Sequence, residues 1–254
     1  MIIDANAWIG HWPFRALPHR SAGALLEQMD RLNIDKALVA TLNGLLYKDA
    51  HEANHELVRE IAPHRDRLVP CALMNPLYDG WRDDLRQCRE EFGMPVVRLT
   101  PDYHGYALTD SATVQLIAQA HDLDMRAAFY YRLVDPRGRH ALDPGRQAST
   151  ADVNDIIRRF PEKRFLMLNF SHVLDSTLAG AACLYDLTLF MGRNGLRMQG
   201  EIDRHGAATF CVGTTMLMRY GSAPLLALDT CSLSNEDREA IEWRNIVEFV
   251  PDLK

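Results

Sequence analysis

Short apolar runs recur along this chain at intervals of about 30 residues, each bounded by polar or turn residues and each followed by a stretch long enough for a helix. They read IID near residue 3, KALVATL (36–42), RLVPCALM (67–74), PVVRL (95–99), MRAAFYY (125–131), RFLMLNF (164–170), LRMQGEI (196–202) and PLLALD (224–229). Runs this short, buried on both sides, are what parallel strands need when helices cover them. The intervening stretches carry helical spacing. In TDSATVQLIAQAHDLD, Val114, Ile117 and Ala120 share a face behind the capping candidates Asp110 and Ser111. SNEDREAIEWRNIVEFV opens with Ser234 and Asp237 in capping-box spacing, and its Ala240, Trp243, Val247 and Val250 recur along one side. Eight strand–helix units predict a single α/β domain over residues 1–254, a (β/α)8 TIM-like barrel, distorted if the units are uneven. An open doubly wound sheet has the same alternation. Against it, no G-x-G-x-x-G or G-x-x-x-x-G-K-[ST] loop follows an early strand.

Composition narrows the functional classes. A net charge of −6 supplies no overall basic footprint for nucleic acid. No apolar stretch approaches the ~20 residues of a membrane span, and MIIDANA lacks the basic head of a signal peptide, so a cytoplasmic location is expected. The 5 cysteines are scattered without a C-x-x-C pair, which suggests neither a zinc knuckle nor a disulfide framework.

In a closed parallel barrel the chemistry sits where strands end and βα-loops begin. That rule selects Asp4, Asn6 and Trp8 after the first strand, two apart and hence on one side of an extended chain. It selects Arg98 on the fourth strand, with Tyr103, His104 and Tyr106 behind it, and Tyr130, Tyr131 and Arg132 on the fifth. The sixth contributes Asn169 and His172, the seventh Glu201 and Asp203, and the eighth Asp229. The segment 132–149, rich in Pro, Gly and Arg, is long for a connection and reads equally as a lid or a solvated insertion. His51 and His55 stand one turn apart on an outer helix and read as solvated surface groups.

Four stretches, IIDANAWIG, DRLVPCALMNP, PVVRLTPDYHGYALTD and YGSAPLLALDT, followed by the C-terminal SNEDREAIEWRNIVEF, resemble the amidohydrolase superfamily in order from end to end. The resemblance is to the branch that contains decarboxylases and lactonases of aromatic and ring-cleavage acids, and it implies a distorted TIM barrel. Members usually hold a divalent metal through His-x-His after strand one, a histidine on each of strands five and six, and an aspartate on strand eight. Here Asn6 and Trp8 replace the first pair, Tyr130 or Arg132 stands at strand five, and Asn169 takes the strand-six place with His172 three residues on. Of the implied ligands only Asp229 matches. An asparagine is a poor transition-metal ligand and indole is none. The expectation is therefore no metal and no cofactor. A relocated metal on His172, Asp229 and either His11 or His104 is the alternative.

Without a metal to lower the pKa of water from ~15.7 to ~7, unactivated amides are poor candidates. Activated esters, lactones and proton-transfer chemistry remain. The reading is a metal-independent hydrolase or lyase of a small carboxylated ring or lactone, with Asp229 and His172 catalytic. Asn6, Trp8, Arg98, His104, Tyr130, Arg132 and Asn169 bind the substrate, the arginines through bidentate pairing with its carboxylates and the aromatics as a wall. The competing reading is a pseudoenzyme that binds a ligand or partner without turnover. The resemblance implies a homo-oligomer, though no exposed stripe marks an interface.

Overall fold

Each of the first six apolar runs forms a strand: β1 (Ile3–Ile9), β2 (Lys36–Thr41), β3 (Leu68–Leu73), β4 (Val96–Leu99), β5 (Arg126–Tyr130) and β6 (Phe165–Leu168). The last two strands are β7 (Cys183–Asp186) and β8 (Phe210–Cys211). All of this is seen in a computed structural model that describes residues 1–174, 183–190 and 196–254. The strands form one parallel eight-stranded sheet in chain order. β8 returns to β1, where Ala5 N donates to Val212 O at 2.9 Å and Ala7 bridges Met216. The sheet is thus a nearly closed (β/α)8 barrel. Among the described residues no helix is long and apolar enough to cross a membrane.

The outer layer comprises α1 (Ala22–Arg31), α2 (Ala50–Ile61), α3 (Trp81–Glu90), α4 (Ser111–Asp122), α5 (Thr150–Arg159), α6 (Leu196–His205) and α7 (Ser222–Asp229). Two further helices, α8 (Asn235–Glu239) and α9 (Asn245–Phe249), follow. Ser234 caps α8 as its spelling predicts, accepting from Asp237 N at 3.1 Å. Asp110 precedes α4, but its carboxylate accepts from Ala107 N at 2.8 Å rather than from the helix.

Alternation along the strands divides two cores. On β2, Ala37 and Val39 pack outward with Leu25 and Met29 of α1, while Leu38 and Ala40 fill the barrel. On β6, Phe165 and Met167 face out and Leu166 and Leu168 face in. The C-terminal residues Phe249, Val250 and Leu253 join the inner core and close the end opposite the βα-loops.

The assignment of the last two strands is corrected. LRMQGEI is not a strand but lies within α6, and PLLALD lies within α7. Met198 and Ile202 are buried four residues apart, and Pro224, Ala227 and Leu228 share an inner face while Leu226 is exposed. That is helical spacing, which a six- or seven-residue apolar run does not distinguish from a buried strand.

A hydrogen-bonded centre beneath an arginine-lined mouth

β1 carries a register shift between Asp4 and Ala7. Because of it, Ile3, Ala5 and then Trp8 all belong to the inner core, so strict two-residue alternation is broken. Asp4, Asn6 and Trp8 accordingly do not line one side as the spacing suggests. Asp4 turns to the segment after β8, accepting from Thr214 N at 3.0 Å, Thr214 Oγ1 at 2.5 Å and Asn6 N at 2.9 Å.

Asn6 instead enters the barrel axis. Its Nδ2 reaches Asp186 Oδ2 at 2.6 Å, Asn169 Oδ1 at 2.9 Å and Thr215 Oγ1 at 3.1 Å, and its Oδ1 accepts from the Tyr130 hydroxyl. An amide has two hydrogens for those three acceptors, so one is shared. Thr215 Oγ1 donates on to Asn169 Oδ1 at 2.6 Å, and Asn169 Nδ2 donates to Arg132 O at 2.9 Å. Both Asn169 and Thr215 hold left-handed backbone, at φ 57° and 55°. For a β-branched residue this is a costly conformation, and here it turns the hydroxyl into the network.

Asp186 at the end of β7 is the acid of this centre. Its carboxylate accepts from Asn6, from Thr188 Oγ1 at 3.0 Å and from Asn169 N at 2.9 Å. Burial nevertheless pushes its pKa up to about 6, outweighing those hydrogen bonds, and nearby Asp4 adds repulsion. Asp4 is raised by burial too. Gly213 explains how the chain passes so close. A Cβ there would lie 2.6 Å from Asp186 Cβ and 2.7 Å from Asp186 Oδ2.

Arg98 is fully buried on β4 and is not free to meet a substrate carboxylate, which corrects the expectation. Its guanidinium donates to Ala7 O at 3.0 Å, Leu38 O at 2.8 Å, Ala5 O at 3.4 Å and Tyr130 Oη at 3.1 Å. It lies 5.0 Å from the Trp8 ring, which packs against Tyr130 at 5.3 Å.

Above this centre Trp8, Tyr103, Tyr130, Arg132 and Arg146 line a mouth cavity of only about 10 Å³, roughly the least that admits a water. The segment 132–149 covers it. Arg146 N donates to Asp102 Oδ2 at 2.7 Å, Ala148 N donates to Tyr131 O at 2.7 Å, and the His140 ring stacks on Phe14 at 5.8 Å. Among the described residues Arg132 Nε is buried without a partner.

The remaining sequence candidates lie elsewhere. Asp229 does not end a strand but is the exposed last residue of α7, paired with Arg238 at 3.1 Å. Its expected place inside the barrel is taken by Thr214 and Thr215 after β8 and by Asp186 on β7. Glu201 and Asp203 sit on α6, where Glu201 faces His205 at 3.5 Å. His104 Nε2 donates to Gly44 O at 2.7 Å, tying two loops together, and burial lowers its pKa. His172 lies after β6 with its ring edge-on to Tyr131 at 5.9 Å, outside the central network. His51 is buried rather than solvated, 2.8 Å from Gln87, and His55 packs against it. Reading the chain for strand ends missed Asp186, Thr188, Thr214 and Thr215. The available signal was CLYD (183–186), an apolar run closing on an acid just as IID does.

The fold is shared with many enzymes of known structure. A dihydroxybenzoic acid decarboxylase from Polaromonas sp. JS666, with bound manganese and 2-nitroresorcinol, superposes with TM-score 0.75 at 12% identity over 98% of this chain and 96% of that one. The 2,6-dihydroxybenzoate decarboxylase in complex with 2,6-dihydroxybenzoate gives 0.72 at 12% identity over 99% of both chains. A probable 2-pyrone-4,6-dicarboxylic acid hydrolase from Acinetobacter baumannii, with citric acid bound, gives 0.69 at 13% identity over 98% of this chain and 99% of that one. Decarboxylases, the probable 2-pyrone-4,6-dicarboxylic acid hydrolase and a putative amidohydrolase from Staphylococcus aureus are thus among the structural neighbours. No protein-family model matches the sequence, and no curated protein does.

A manganese or zinc ion does not fit the donors present. The centre offers one carboxylate whose two oxygens already accept three hydrogen bonds, two amides and the hydroxyls of Thr188, Thr215 and Tyr130, with no imidazole. Among the described residues no three His, Cys, Asp or Glu are placed to hold a metal ion. The alternative set of His172, Asp229, His11 and His104 is dispersed, with His11 on Arg20, 3.2 Å away.

Proposed function

We propose that the chain acts at the barrel mouth on a small carboxylated ring or lactone, as a hydrolase or lyase that uses no metal. The supporting observation is that Tyr130 belongs both to the arginine- and aromatic-lined mouth and to the central network. Arg132, with its buried and unpartnered Nε, pairs with the substrate carboxylate. Trp8 and Tyr103 form the wall against the ring.

Tyr130 is the group that meets the reacting centre. Burial raises its pKa, so its phenol stays protonated and is a hydrogen-bond donor and proton source, while Arg98 Nη1 at 3.1 Å stabilises the negative charge that develops as the proton leaves. In a decarboxylation the ring carbon–carboxylate bond breaks, carbon dioxide departs, and the electron pair left on carbon takes that proton, which Tyr130 releases from its bond to Asn6 Oδ1 and regains from water before the next turnover. Asp186 acts behind Asn6 as a positioning residue, holding the amide that accepts from Tyr130. A ring enters only when the 132–149 segment lifts, because the covered mouth has no room for it.

The test measures carbon dioxide release from 2,6-dihydroxybenzoate and ring opening of 2-pyrone-4,6-dicarboxylate, the compounds named for the neighbours, using chelator-treated protein of verified metal content. Turnover that survives chelation and is lost in Tyr130→Phe supports the reading. Turnover that appears only on adding Mn²⁺ refutes metal independence. A second reading, ligand binding without turnover, is favoured by the saturated hydrogen bonding of the centre. It predicts a raised melting temperature with the same compounds and no product.

A further inference from the structure

A cavity much roomier than the mouth is found off the barrel axis. It lies to the side, between the loop after β1, helix α1 and the segment after β8, and has a volume of about 400 Å³. That is within the range of small-molecule sites, whereas the mouth holds about 10 Å³. Leu32, Met216 and Leu217 supply apolar lining, and Arg15, Arg219 and Gln28 supply donors. Two of those donors are unanswered. Among the described residues Gln28 Nε2 and Arg219 Nε are buried and have no hydrogen-bond partner, which costs stability unless something meets them. Other nitrogens of the two arginines are anchored, Arg15 Nη2 to Met218 O at 2.7 Å and Arg219 Nη2 to Leu133 O at 3.4 Å. Arg219 is held partly out of water and is repelled by Arg132 and Arg15, so its pKa is lowered and an anion there would relieve both penalties.

We propose that this side cavity binds a small amphipathic carboxylate, its anionic head between Arg219, Arg15 and the Gln28 amide and its apolar body on Leu32, Met216 and Leu217. A planar carboxylate matches the guanidinium fork, and an aliphatic or phenyl body matches thioether and leucine surface. Inorganic phosphate, strongly hydrated and without an apolar part, gains nothing from that lining. The site is separate from the mouth and does not depend on turnover there.

The experiment is calorimetric titration of the full chain with hexanoate and phenylacetate, with hexanamide and inorganic phosphate as controls. One equivalent of either carboxylate should bind saturably, and hexanamide should bind at least about tenfold more weakly, the worth of a charge-assisted hydrogen bond. Arg219→Gln should weaken hexanoate by about tenfold or more, Leu32→Trp should fill the cavity and abolish binding, and Arg132→Gln, whose side chain only neighbours Arg219, should change affinity by much less than about tenfold. Should Leu32→Trp fail to fold, the Arg15→Gln, Arg219→Gln double variant decides. Absence of saturable binding, equal affinity for hexanamide, or loss in Arg132→Gln with retention in Arg219→Gln each overturns the proposal. The last result would place the ligand at the mouth instead.

Discussion

Replacing Asp186 by asparagine tests whether the barrel centre is the closed, water-poor network described above. The carboxyl has a pKa of about 6 in the folded protein against 3.8 for an unburied aspartate. Folding therefore favours its protonated form. Its stabilising contribution is complete below 3.8 and is lost as pH rises through 6. A difference of ~2 pKa units at ~1.4 kcal/mol each amounts to ~3 kcal/mol, most of it lost between about pH 4 and 7. The group is fully buried, so solvent screening does not reduce this figure. Asp186→Asn carries no charge at any pH. It adds a constant cost of roughly 1–3 kcal/mol, because one of its atoms becomes a donor facing Asn6 Nδ2 or Asn169 N. Urea unfolding of both proteins across that range should show the wild-type advantage shrinking by ~3 kcal/mol as pH rises, whatever the other groups contribute. Asp4, raised by burial as well, acts with the same sign in both proteins. Parallel stability curves would refute the reasoning, since a carboxylate that ionises in place without penalty is reached by water.

Asn6→Ala strips partners from Asp186, Asn169 and Tyr130 at once and should cost about 3–5 kcal/mol in urea unfolding; a loss near 1 would mean that water fills the gap. Arg98→Met takes the guanidinium donor from three inward carbonyls and from Tyr130 and should cost a similar ~3 kcal/mol or more, read by the same assay. In Gly213→Ala the new methyl presses on Asp186 at 2.6 Å, so the melting temperature should fall by the equivalent of ~1–3 kcal/mol. Asp229→Asn removes an exposed pair with Arg238 and should change stability by no more than ~1 kcal/mol, leaving any chemistry at the mouth as it was; loss of turnover would return Asp229 to the site.

The legible part of the site was the part carried by strands that the pattern places correctly. Asn6, Trp8, Tyr130, Arg132 and Asn169 lie in or just after runs that do form strands, and the structure brings them to the axis or the mouth. Arg98 was placed correctly on β4, yet its partners are backbone carbonyls of β1 and β2, contacts made across the barrel that no local pattern announces. Asp229 failed for a different reason. PLLALD is six residues long, and at that length burial on one helical face and burial in a strand leave the same trace. Once the register slips by one unit, every later assignment moves with it, so the buried acid on CLYD went unread.

The alternation of apolar runs with amphipathic helices determined a parallel sheet covered by helices, because strands buried on both faces are joined by crossover helices, while closure into a barrel is a feature of the tertiary structure. It also determined that the first strand ends without imidazoles. Tertiary structure alone decided what stands there instead. Asn6, Asn169, Asp186 and Thr215 are separated by up to 209 positions along the chain and meet only because closure of the sheet brings β1, β6, β7 and the segment after β8 around one axis. Hydrogen bonds of 2.6–3.1 Å among them depend on a strand bulge, two left-handed residues and a glycine pressed against a carboxylate. Those are features of how the chain is packed, and packing is a property of all eight strands together.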